Sequence, residues 1–211
     1  MTNSIKAQTF LARLSPRLPS SVLDDLRAAF GIAETVRQKA DDIRSDPRFS
    51  DQGKREQILA MLKRGPLAHH QQIADKIAAR KAELEAERAG FVIAPDRTDL
   101  FAESQRSEAR SWLLAMPEIQ RRRVVAESKE PTIRHAVAMA PAQLSGVPDD
   151  VKAQIIDALL VEKFGSKVEN NAALIEGYSD AAVAVQEAGN DIRRAAGITE
   201  RDFADIGKGA K

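Results

Sequence analysis

The chain has no cysteine among its 211 residues, so disulfides, thiolate zinc sites and cysteine nucleophiles are excluded. Aromatic residues make up 4% of it, and Trp112 and Tyr178 are the only members of their kinds. That leaves little material for a platform on which bases stack. No window approaches the roughly 18 uninterrupted apolar residues that a membrane-spanning helix needs. The start, MTNSIKAQTFLARLSPRLPSS, lacks the apolar centre of a signal peptide. Neither sign of charge is in excess, because 32 Lys and Arg face 31 Asp and Glu.

Local catalytic signatures are also missing. There is neither a GxxxxGK nor a GxGxxG phosphate loop, and the Gly-Lys pairs at Gly53 and Gly207 lack the upstream glycine and follow no strand. No GxSxG elbow occurs. The histidines are His69, His70 and His135. The first two are adjacent, so on a helix they point about 100° apart and cannot chelate one ion together. No metal and no cofactor is expected. The adjacent acids Asp24-Asp25 and Asp149-Asp150 stand at helix starts, where capping and the helix dipole account for them. Asp41-Asp42 reads as a solvated face. These absences point away from an enzyme.

What is present is helix. Hydrophobic residues reach 43%, enough to fold, but 35 residues are alanine, which favours helix and buries little area each. A thin, close-packed all-α core follows. The pattern divides into an N-terminal arm (1–19), a long antiparallel, coiled-coil-like helical pair (20–90), an extended hinge (91–97), a compact helical bundle (98–206) and a disordered tail (207–211). Proline and serine punctuate it. Asp46-Pro47 ends the second helix, Ser50 caps the third, and Gly65-Pro66 interrupts that third helix before the pattern resumes. In the bundle, Val151, Ile155, Ile156, Leu159, Leu160 and Phe164 form the widest apolar stripe, closed by Gly165. Two alanine-rich helices are expected after it, near 168–176 and 179–196, divided at Gly177, and Thr199 with Asp202 caps the last turn.

Candidate sites follow from the same pattern. Val22, Leu26, Ala29, Ala33, Val36, Ala40 and Ile43 succeed one another at steps of four and three, a heptad seam of small residues that needs a partner within or between chains. Read as an oligomer seam, it predicts that Ala33→Asp or Val36→Asp abolishes association with helix content largely intact. Residues 1–19 carry Lys6, Arg13 and Arg17 and no acid, whereas 165–206 hold four bases and eight acids. A basic start and an acidic end suit a head-to-tail or arm-exchange contact. Arg121, Arg122 and Arg123, with Lys129 and Arg134, form the densest basic patch, a possible contact for nucleic acid or a protein partner. Trp112, beside Leu113 and Met116, reads as core, as does Phe101 on the same helix.

The stretch SWLLAMPEIQRRRVVAESKEPTIRHAVAMAPAQLSGVP runs from a Leu-rich helix through an Arg-containing helix and an Ala-Val helix to a Pro-x-x-Leu-Ser-Gly turn at Pro141, Leu144, Ser145 and Gly146. It resembles the helical middle of uncharacterised proteins from tailed-bacteriophage and prophage gene clusters. The element SDPRFSDQGKREQIL, with Asp46, Pro47, Gly53 and Lys54, is similar to a turn and helix start in the same proteins. The resemblance covers about a quarter of the chain and carries over no functional residue. It implies a head, connector or tail component, or an assembly factor, in the virion or the bacterial host cytoplasm. The expected protein is a non-enzymatic homo-oligomer with other structural proteins as partners and no membrane contact. The alternative is a helical nucleic-acid-binding regulator.

Overall fold

The structure, a computed structural model, describes residues 2–94 and 98–208. Every regular element among them is helical: α1 (Thr2–Leu14), α2 (Ser20–Ser45), α3 (Asp51–Lys63), α4 (Pro66–Ala89), α5 (Leu100–Leu114), α6 (Glu118–Glu127), α7 (Pro131–Ala138), α8 (Ala142–Ser145), α9 (Asp149–Phe164), α10 (Ser166–Ala196) and α11 (Glu200–Lys208). The chain forms two compact units, one of residues 1–86 with 172–211 and a second of residues 87–171.

In the first unit the seam of α2 meets a second heptad stripe. On α10, Tyr178, Ala181, Val185, Ala188, Ile192 and Ala195 are buried at steps of three and four. The N-terminal half of α2 shares its cluster with Tyr178 to Ala188, and the C-terminal half shares a second cluster with Ile192 to Ala196, so the two helices run parallel. α4 runs antiparallel to α2: Leu67 lies in the second cluster and Ile73, Ile77 and Leu84 in the first. Small residues on both seams permit close approach, and Ile, Leu and Val provide most of the apolar area removed from water. Ser50 caps α3 by accepting from the Gly53 amide at 3.2 Å. Thr199 and Asp202 cap α11 reciprocally, as their spacing predicts.

The expected division of the chain is corrected in three places. The helical pair is a layer of three, because α10 completes it. The bundle ends at residue 171 rather than 206. The two alanine-rich helices are one, since α10 continues for 31 residues. Its glycines admit neighbours rather than break it: a Cβ at Gly177 would lie 3.0 Å from Leu18, and one at Gly189 would lie 3.1 Å from the His70 ring. Of the expected tail, Gly207 and Lys208 close α11, and 209–211 lie outside the described residues.

The second unit packs α5, α6, α7 and α9 around Leu113, Val125, Val137, Val147, Val151, Ile155 and Leu159. Gly165 ends α9 as expected, with φ 61°. Of the expected hinge, residues 91–94 lie outside any helix and are held to the end of α9. Phe91 packs on Phe164 with ring centroids 5.1 Å apart, and the Lys163 ammonium donates to the Val92 carbonyl at 3.1 Å. Residues 95–97 lie outside the described residues.

Candidate interaction surface

The seam is not a surface. Leu26, Ala29, Val36 and Ala40 are 0% exposed, Ala33 1% and Val22 5%, while Ile43 is half-buried at the edge of its cluster. The oligomer seam expected from the sequence is corrected: α4 and α10 of the same chain cover it. The heptad repeat was legible, but its partner lies about 150 residues further along the chain.

The same holds for the charge asymmetry. Lys6 pairs with Glu187, Arg13 with Asp180 at 3.1 Å, and Arg17 with Glu176 at 2.8 Å. α1 thus lies antiparallel along α10, with Leu14 fully buried and Phe10 stacked on Phe30, ring centroids 6.1 Å apart. The basic start meets the acidic end within one chain.

Arginines of the basic patch are also engaged. The Arg121 guanidinium donates to the carbonyls of Leu113 (2.8 Å), Met116 (2.8 Å) and Gly146 (2.6 Å). It therefore ties off the C-terminus of α5 and the turn after α8, where Gly146 adopts φ 63°. Arg122 pairs with Asp150 at 2.9 Å, Arg123 with Glu127 at 3.2 Å and Arg134 with Glu162 at 2.9 Å; Lys129 is exposed. An arginine whose charge is matched within a few ångströms contributes little to the field a phosphate backbone would feel.

Several of the candidate acids are paired as well. Asp25 and Glu83 line one pocket of about 320 Å³, but Asp25 pairs with Lys76 and Glu83 with Arg80. Asp41 pairs with Arg44 at 2.8 Å. Among the described residues no group of three His, Asp or Glu side chains is placed to hold a metal ion, and no helix is long and apolar enough to cross a membrane.

His69 is exposed, whereas His70 is buried with Nε2 3.0 Å from the Val185 carbonyl. Burial pushes the His70 pKa below 6.5 against the hydrogen bond at Val185, and the neighbouring His69 adds to the lowering. The unfolded chain therefore takes up this proton first on acidification. Stability contributed by neutral His70 is complete above about pH 6.5 and is lost as the pH falls below it. Denaturation between pH 7.5 and 5 should show wild type losing stability faster than His70→Gln, by at most about 1.4 kcal/mol per pH unit. Parallel profiles would contradict this assignment. The lowered carboxylates Glu103, Glu187 and Asp202 start from 4.5, 4.5 and 3.8, so their losses fall in a separate, more acid window.

What remains open is apolar. Among the described residues, seven of the ten exposed large hydrophobic side chains belong to the second unit: Val92, Leu100, Phe101, Trp112, Leu114, Ile119 and Leu144. That unit is less than half of the chain, so the exposed apolar side chains are concentrated in it.

Phe101 and Trp112, expected inward, are 73% and 50% exposed. The reason lies in α5 itself. Its inner face is fixed by Leu113 and by Arg106 and Arg110, which both hold Glu103, at 2.9 and 2.8 Å. Those guanidinium groups, Arg110 foremost, keep the Glu103 carboxyl below its usual range. Residues 101, 105, 108 and 112 fall within about 60° of arc on a flank of the helix, about 110° round from Leu113. Beside them an open groove of about 470 Å³ is lined by Gln105, Glu108, Ala109, Trp112 and Thr132.

Compared with models of known families, with curated proteins and with solved structures, the chain matches none.

Proposed function

We propose that the protein is a non-enzymatic assembly protein that associates with copies of itself through the second unit. The observation that carries this reading is the apolar surface left on residues 87–171 after the alanine seam, the basic arm and the acidic end have been used inside the chain. A buried seam with an exposed apolar face elsewhere is the arrangement of a stable protomer that joins others after folding. The resemblance to proteins of tailed-phage gene clusters makes a head, connector, tail or assembly-factor role the natural setting, with other structural proteins as further partners. Absolute mass from light scattering after size exclusion tests the reading. Mass should rise with protein concentration and change little between low and high salt, because the contact is apolar. A monomer at every concentration would overturn it.

A further inference from the structure

α1 holds on to the first unit with little buried surface. Among residues 5–14 only Leu14 is buried, whereas α2 buries nine side chains. Ala7, Phe10 and Leu11 are partly buried, and Ile5 is 66% exposed. The rest of the attachment is charge, Lys6 on Glu187 and Arg13 on Asp180. From this division we infer that α1 is a releasable strap. It lifts from α2 and α10 as one piece about Leu14 and Leu18 while the remainder of the first unit stays folded, and the two ion pairs are its catch. This goes beyond the proposed self-association and does not depend on it.

The pivot is firm. Leu14 and Leu18 are 0% and 7% exposed, Leu18 rests where Gly177 leaves room for it, and Arg17 joins Glu176 at 2.8 Å. In α1 itself the catch lies within reach of water: the Lys6 and Glu187 side chains are 36% and 34% exposed, and that of Arg13 is 65% exposed. Pairs of that exposure shift an equilibrium by about 1.4- to 5-fold each, so two of them hold the strap shut by about 2- to 30-fold, and salt screens both. A helix of 13 residues without its neighbours is marginal in water, so lifting and melting are a single event. Segments with few buried contacts open at a lower free energy than the whole domain. Opening uncovers Phe30 of α2, on which Phe10 stacks, beside the acids Asp180 and Glu187 of α10.

Hydrogen exchange of the full chain, read by mass spectrometry over residues 6–13 and 22–40, tests the strap. It is run at about 0.1 M and about 1 M NaCl, between which the screening length falls from about 10 Å to about 3 Å. Wild type is compared with Lys6→Gln, Glu187→Gln and the double variant. Residues 6–13 should exchange faster than 22–40 at both salt concentrations. Their rate should rise about twofold or more with salt while that of 22–40 stays fixed. Each single variant should quicken exchange of 6–13 at low salt and flatten its salt dependence. The double variant should match the singles, because one pair is lost in all three. Glu187→Gln acts from another helix, so its agreement with Lys6→Gln excludes a change in the helix propensity of α1. If 6–13 exchanges only together with 22–40, α1 opens by global unfolding alone and is no strap. If 6–13 is fast but indifferent to salt, or if the two single effects add in the double variant, the ion pairs are not its catch and the inference falls.

Discussion

Val36→Asp is expected to unfold the first unit, not to dissociate an oligomer. The side chain is 0% exposed in a cluster of Ile, Leu and Ala. A carboxylate there loses its hydration and gains no base, and protonating it instead still leaves an unsatisfied polar group. The cost should be about 4 kcal/mol or more, against the roughly 5–15 kcal/mol that holds a domain of ordinary size together. Helical circular dichroism should fall, and the urea transition should shift or vanish. Ala33→Asp, at 1% exposure, should behave alike. Val183→Asp, on α10 but 51% exposed, should be nearly neutral. Full helix content with reduced mass in Val36→Asp would return the seam to a contact between subunits.

The second large effect separates three consecutive arginines. Arg121→Ala removes a guanidinium shared by four backbone carbonyls and leaves two helix ends without their donor. Hydrogen bonds from a charged group contribute about 1.5–3 kcal/mol each and are not additive, so the loss should be about 3 kcal/mol. Arg122→Ala and Arg123→Ala break exposed pairs with Asp150 and Glu127 and should stay within about 0.5 kcal/mol. Gly146→Ala should approach the Arg121 effect, because its φ of 63° disfavours a side chain and the added Cβ would lie 2.0 Å from Nη1. Urea midpoints of the four variants check this order. Equal effects for the three arginines would show that Arg121 is as peripheral as its neighbours.

The residues that were readable from sequence and those that were not differ in one physical respect. Periodicity and punctuation act within a turn or two, so the all-α class, the Ser50 cap, the Thr199–Asp202 pair and the end of α9 at Gly165 were legible. So was the seam of α2, as a stripe in search of a partner. The identity of that partner was not, because Tyr178 to Ala195 carry a matching stripe only when α2 and α10 are laid side by side. Gly177 and Gly189 misled for the same reason. A glycine that breaks a helix and one that admits Leu18 or His70 look alike until the neighbour is known. Trp112 and Phe101 are apolar yet outward, because the inner face of α5 is taken by Leu113 and by the buried Arg106. Three adjacent arginines were visible, but not that the first turns inward onto carbonyls.

Copies are proposed to meet through the second unit while α2 stays inside the protomer. Hydrogen exchange of the wild-type chain at two concentrations, one below and one above the association midpoint, tests it directly. Exchange should slow within residues 87–171 at the higher concentration. Along 22–43 it should be slow at both concentrations and the same. Protection that rises with concentration along 22–43, with none gained within 87–171, would contradict this and make the alanine seam the subunit contact.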